Sequence, residues 1–346
     1  MKKNVFLILS LLILLTVISL FVYADDPVYF GTSIRSLGNP YHASWKLGGE
    51  MFAESLGMKE YHRTLLSEGN SEKQLDDIKA LIAAAGKDVV FNVDPNQAPD
   101  VRPITEVLEK AGVYYVTQWN KPADMHPWQY KYWVAHISYD DFDMGYQTAK
   151  ALIEAMGGKG KIVAIEGLLA NTASQNRFKG LQKAIEENSE VELLDHQPAD
   201  WLRIKAFEVT QNFFITYPDI DGVWCGDDGM AMGALEAVRD AGLVGQVGIT
   251  GIAGIEEVIA AIKNGEIVAT SGLEPWWQGG MGLAMAYKAY LGDFDPSNLP
   301  NDKREFYLKA VTITQDNVDW YVENFIESVP EYDWFDLWAN YLKPMN

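Results

Sequence analysis

The chain has 346 residues, of which 48% are hydrophobic, 22% charged and 12% aromatic, with 11 Trp; it is globular rather than disordered, and too long for one ordinary core. Its formal net charge of −20 gives a surface that repels nucleic acid and anionic lipid headgroups, which excludes nucleic-acid binding. The one cysteine, Cys225 in the apolar run Gly222-Val223-Trp224-Cys225, excludes an internal disulfide framework, so stability must come from packing.

Met1-Lys2-Lys3 supplies positive charge ahead of an apolar run from Val5 to Val22. Val22-Tyr23-Ala24 then places small residues where a signal peptidase reads, and Asp25-Asp26 follow. The pattern predicts a secretory signal peptide over residues 1–24, cleaved near Ala24, and a periplasmic protein. A run of roughly 18 apolar residues can also anchor in a bilayer, but the cleavage signature favours the signal. No cysteine stands at the junction, so lipid attachment there is not expected.

Strand-like runs then alternate with helix-period segments, the mark of βαβ units on parallel sheets. The first unit is a strand at Val28–Thr32, a loop to Pro40 and a helix to about Leu56, along which Tyr41, Trp45, Gly48 and Phe52 recur at three- and four-residue spacing. Ser71-Glu72-Lys73-Gln74 reads as a capping box opening a helix to Gly86. A strand over 88–93, the turn Asp94-Pro95-Asn96-Gln97, a helix to Ala111 and a strand over 113–117 follow. A second series starts near Asp140, with helices over 142–156, 174–188, 202–217, 229–241 and 255–264. Its strands are expected over 161–166, 191–195, 222–226, 247–251 and 267–271. Two α/β lobes are therefore expected, each a doubly wound parallel sheet: residues 25–139 with 274–308, and 140–273 with 309–346. The aromatic tail from Gln315 is expected to form a helix and an irregular segment packed on the second lobe.

Open parallel sheets bind ligands beyond the carboxyl ends of their strands. Those loops carry Arg35, Asn39, Tyr41, His42, Trp119, Asn120, Asn171, Arg177, Trp201, Asp227 and Glu274. Aromatic faces mixed with amides, carboxylates and guanidinium groups suit a sugar or polyol, whose C–H faces stack while its hydroxyls need donors and acceptors. Structural readings compete: Asp227 and Asp140 each precede a helix and suit N-caps, Arg177 could pair with an acid on a helix face, and Trp45 belongs to an apolar stripe. His42 and His136 lack partners at metal-ligand spacing. No dinucleotide turn, phosphate loop, complete calcium loop or nucleophile elbow is present, so neither cofactor nor metal is expected.

Five stretches carry a family resemblance: Leu37-Gly38-Asn39-Pro40-Tyr41, Ala135-His136-Ile137-Ser138-Tyr139-Asp140, Arg177-Phe178-Lys179-Gly180, Gln197-Pro198-Ala199-Asp200-Trp201 and Asp227-Asp228-Gly229-Met230-Ala231-Met232-Gly233-Ala234-Leu235. In this order the chain resembles the ribose-binding branch of the periplasmic sugar-binding proteins. The resemblance implies a type I periplasmic binding protein fold, two Rossmann-like lobes joined by a three-strand hinge near Ser138–Asp140, Ser271–Glu274 and Tyr307–Val311. It further implies hydroxyl contacts from Asn39, Arg177 and Asp227, ring stacking by Tyr41 and Trp201, and a hinge role for Asp140. Three positions depart from the ribose pattern: Trp119-Asn120 replaces an Asp-Arg pair, Ala253 replaces an Asp, and Leu273 beside Glu274 replaces a Gln. A hexose, pentopyranose or cyclitol such as inositol is therefore expected over ribose. The implied role is solute receptor for an ABC transporter permease in the inner membrane, acting as a monomer. A sugar-sensing receptor for chemotaxis or a sensor kinase is the alternative, and a glycoside-active enzyme is disfavoured because no well-placed carboxylate pair is evident.

Overall fold

A computed structural model describes residues 27–327 and 331–345; the signal segment over 1–24 lies outside the described residues. The chain runs β1 (Tyr29–Ile34), α1 (Pro40–Ser55), β2 (His62–Leu66), α2 (Ser71–Ala85), β3 (Val89–Val93), α3 (Val101–Ala111), β4 (Tyr115–Gln118) and β5 (Trp133–Tyr139). It continues through α4 (Asp141–Ala155), β6 (Gly160–Glu166), α5 (Thr172–Glu186), β7 (Val191–Pro198), α6 (Arg203–Thr216), β8 (Gly222–Cys225), α7 (Asp228–Asp240), β9 (Gly248–Thr250), α8 (Glu256–Lys263) and β10 (Thr270–Gly272). Then come α9 (Pro275–Tyr290), α10 (Asn301–Arg304), β11 (Glu305–Leu308), β12 (Val311–Ile313), α11 (Val318–Tyr321) and β13 (Tyr341–Pro344).

The strands form two twisted sheets. The first has the order β13-β11-β5-β4-β3-β1-β2, parallel except for β13. Every residue of β3, β4 and β5 is buried, as a parallel sheet with helices on both faces requires. The second is the parallel set β7-β6-β8-β9. Bridges Thr250–Ala269 and Ala253–Gly272 extend it to the antiparallel pair β10–β12. Between the lobes the chain crosses after Tyr139, after Gly272 and after Leu308.

Two expectations are corrected, and several strands go unread, among them the wholly buried β5. Ser71-Glu72-Lys73-Gln74 is not a capping box: Asn70 caps α2 by accepting from the Lys73 N–H at 2.9 Å, and Gln74 is buried and bonded to the loop after β3. The edge strand β2 goes unread in the sequence because His62-Arg63-Thr64-Leu65-Leu66 is only partly buried and shows no apolar run. The tail does not stay on the second lobe. Val318 and Tyr321 pack there, but Trp334 is buried against Phe52 and Gly280 of the first lobe and β13 pairs with the edge of β11. The open edge of β11 accounts for this, because a strand that would otherwise expose unpaired N–H and C=O groups gains a partner. Trp334 settles beside Phe52 at a ring separation of 6.1 Å.

One packing detail positions the site. α4 and α5 cross so closely at Gly145 and Gly180 that a Cβ on Gly145 would stand 2.0 Å from the Arg177 carbonyl oxygen, and one on Gly180 would stand 2.2 Å from that of Phe142. Side-chain-free contact lets the backbones meet and brings the start of α4 against Arg177.

Candidate ligand-binding cleft

Loops at the carboxyl ends of both sheets enclose a cavity of about 140 Å³, an order of magnitude above the ~10–15 Å³ that holds one water molecule. Arg35, Asn39, Tyr41, His42, Trp119 and Asn120 line it from the first lobe, and Asn171, Arg177, Trp201 and Asp227 from the second. In the first wall, Asn39 caps α1 by accepting from the Tyr41 N–H at 2.9 Å, which aims the next turn of the helix into the cleft. Tyr41 Oη donates to Gln278 Oε1, and burial pushes its phenol pKa well up. His42 Nε2 lies 3.0 Å from Asp94 Oδ2. A carboxylate can only accept, so Nε2 carries a proton in this contact. Asn120 Nδ2 donates to the Pro95 carbonyl at 2.8 Å.

The second wall is built on helix N-termini. Asn171 caps α5 by accepting from Ser174 N–H at 3.3 Å, and Asp227 caps α7 through Oδ1 to Met230 N–H at 2.8 Å. Burial raises the Asp227 carboxyl, against that amide, Arg177 and Asn39. Arg177 donates from Nε to Asp141 Oδ1 at 2.8 Å and from Nη1 to the Gly226 carbonyl at 2.9 Å. Its guanidinium carbon lies 5.0 Å from the Trp119 ring centre and 5.6 Å from that of Trp201.

Three further contacts tie the walls together. Asn39 Nδ2 donates to Asp227 Oδ2 at 3.1 Å, the Thr172 N–H to Asn120 Oδ1 at 3.0 Å, and Asn171 Nδ2 to the Asn96 carbonyl at 3.4 Å. Beside these contacts, Arg35 Nη1, His42 Nδ1 and Asn96 Nδ2 are buried without a partner among the described residues. Such groups cost about 1–3 kcal/mol each when nothing satisfies them. Backbone strain gathers here too. Trp119 has φ 61°, Trp201 φ 63° and Ala253 φ 155°, a region that bulky residues rarely adopt and that costs on the order of 1–3 kcal/mol per residue.

Residues 30–293 match the periplasmic binding protein domain family. The chain belongs to that family. It is 30% identical to the D-allose-binding periplasmic protein of Escherichia coli (strain K12) over 83% of this chain and 92% of that protein. Among solved structures it is similar to a twin-arginine translocation pathway signal protein from Burkholderia phytofirmans, with 40% identity, a TM-score of 0.90, and coverage of 93% of this chain and 99% of that one. A Caulobacter myo-inositol binding protein bound to myo-inositol is 26% identical with a TM-score of 0.75, covering 86% and 96% of the two chains. The fold is that of the type I periplasmic binding proteins, a family of binding proteins rather than enzymes.

Within this family frame one candidate is misplaced. Glu274 does not line the cavity. It heads α9, its N–H donates to Tyr139 Oη at 2.9 Å, and its carboxyl, raised by burial, faces Asn340 and Lys309 at the crossings. Leu273 and Ala253 line the cavity there instead. Asp140 caps α4 through the Asp143 N–H at 3.1 Å and pairs with Lys343 at 2.6 Å, at the first crossing. The sequence reading missed Asp94 and Asn96, which also line the cavity. Their position right after a core strand was the available signal; the turn-forming sequence Asp94-Pro95-Asn96 concealed it. Gln74 secures this loop, donating to the Asp94 carbonyl at 2.8 Å and accepting from the Asn96 N–H at 3.1 Å.

Proposed function

We propose that this chain is the solute-binding component of an ABC importer and closes its two lobes around a monosaccharide or cyclitol. The observation that carries this reading is the cavity between the lobes, which presents unsatisfied Arg35 Nη1, His42 Nδ1 and Asn96 Nδ2 beside indole and phenol rings. A ring with several hydroxyls supplies both what the polar atoms lack and the C–H surface the aromatic rings cover. Of the charged groups that line the cavity, Arg35 and Arg177 stand against Asp94 and Asp227, while Arg203 is paired with Glu236 and Glu257, so a neutral solute fits better than a sugar acid. Relatives that bind D-allose and myo-inositol support the size class. In this reading Asn39, Asn120, Asn171, Arg177 and Asp227 bond hydroxyls, Tyr41, Trp119 and Trp201 supply aromatic surface, and Asp140 works at the hinge. Closure is a hinge transition in which contacts from both walls favour the shut form. The partner is the permease of the importer, approached by a monomer in the periplasm.

A thermal-shift screen of the mature protein with D-allose, D-ribose, xylitol and myo-inositol tests the proposal. A bound solute at roughly 100 times its dissociation constant adds about 2.7 kcal/mol of stability. No shift with any hexose, pentose, polyol or cyclitol would refute it.

A further inference from the structure

Asp141, the first residue of α4, is almost wholly buried, as is Arg177 on α5. An acid at a helix start ordinarily serves its own helix, by capping or by its charge. Here that task belongs to Asp140, whose Oδ1 takes the Asp143 N–H. Asp141 instead directs Oδ1 at Arg177 Nε, at 2.8 Å. The Gly226 carbonyl takes Arg177 Nη1 at 2.9 Å, leaving Nη2 without a protein acceptor among the described residues. The guanidinium so held lies over Trp119 of one lobe and Trp201 of the other. The close backbone contact at Gly145 and Gly180 sets the separation of the two helices that makes this reach possible.

We propose that Asp141 is the positioning residue of the cleft, a buried carboxylate that fixes Arg177 as a cation shared by the indoles of both lobes, with Nη2 presented to the solute. Arg suits this because its planar fork donates in several directions at once and stacks on aromatic faces. The arrangement makes the cleft respond to mild acid. Burial pushes the Asp141 carboxyl up to about 6, with Arg177 pulling against it. The other groups facing it are Asp140 beside it, with Lys343 of β13 on that carboxylate, Ser138 at the end of β5, and Tyr307 of β11. Protonation removes the negative charge that orients the guanidinium, so affinity is expected to fall as pH drops through about 6.

The affinity arm of the test rests on the sugar-binding reading; the spectroscopic arm does not. In the full mature protein labelled with ¹⁵N-arginine, the Arg177 Nε–H signal, assigned by its loss in Arg177→Lys, should shift with a midpoint near pH 6, and this titration should vanish in Asp141→Asn. For the solute that shifts the melting temperature most, Asp141→Asn should weaken binding about tenfold or more at neutral pH, the worth of a charge-assisted hydrogen bond, with its pH dependence flattened. Arg177→Lys should bind as weakly, since Lys cannot span both partners. An Arg177 signal that ignores Asp141→Asn overturns the proposal, as does wild-type affinity in a folded Asp141→Asn protein. A titrating signal in a protein that binds no sugar would uphold the tether and sink the sugar reading alone.

Discussion

Asp228 begins α7 next to the cleft residue Asp227, and it is fully buried. It accepts from Thr270 Oγ1 at 2.6 Å and from the Ile255 N–H at 2.9 Å, yet burial outweighs these bonds and lifts its carboxyl from 3.8 to about 7. The folded state therefore keeps a proton that the unfolded chain gives up in mild acid. The stability this group contributes is complete below the unfolded value and is lost as pH rises through about 7. The full difference is on the order of 4 kcal/mol, of which about 2.5 kcal/mol falls between about pH 5 and about pH 8. Asp228→Asn removes the titration while keeping an oxygen for the Ile255 N–H and an amide for Thr270. The melting temperature of the variant minus that of the wild type should thus be about 5 °C more positive at the higher pH, read by calorimetry of both proteins in matched buffers. Taking the difference cancels other titrations, including that of His62, whose value burial lowers to about 4 and whose slope runs the opposite way. A gap that stays constant across this range would refute the reasoning.

Other expectations follow from the same geometry. Asp227→Ala removes a cap and a contact to Asn39, so it should cost about 1 kcal/mol of stability and abolish the sugar-induced thermal shift; an undiminished shift would detach Asp227 from the site. Gly145→Ala forces a methyl group against the Arg177 carbonyl, whose oxygen would be 2.0 Å from the new Cβ. It should weaken solute binding by tenfold or more, although neither helix loses a polar contact, as calorimetric titration would register. Trp334→Ala should cost about 3–5 kcal/mol in urea unfolding by leaving a cavity beside Phe52, while the same change at exposed Trp320 should cost far less.

Most of the architecture was legible because parallel strands buried on both faces read as apolar runs, and the turns between them end on capping residues. Val89–Val93 and Gly222–Cys225 are of this kind. Burial alone did not decide legibility, since the wholly buried β5 went unread, as did both edge strands of the first sheet. His62–Leu66 is partly exposed, and Tyr341–Pro344 earns its place only by pairing with β11, a contact between segments that the sequence holds about thirty residues apart. The tail followed the same rule: Trp334 could bury itself against any apolar groove, and nothing local says that the groove at Phe52 is on the first lobe.

For the cleft, position along the chain was a better guide than residue type. Reading the strand ends selected ten residues that do line the cavity, but it could not say what each one holds. From its own residues Arg177 reads as an ion-pair partner and only the family resemblance makes it a ligand contact; in the structure Nε is spent on Asp141 and Nη2 has no acceptor among the described residues. Trp119 and Trp201 looked like stacking platforms for a sugar, and in this structure the Arg177 cation lies over both. Their positive φ values are decided by tertiary constraints that no propensity reports, since no scale favours Trp there. Two indoles held at a cost in backbone energy, one from each lobe and both against one buried cation, are hard to explain by folding alone. Ala253, strained as well and lining the same cavity, argues in the same direction. Among the described residues, three of the five non-glycine residues with positive φ line this cavity, the kind of place where strain is kept for function rather than for folding.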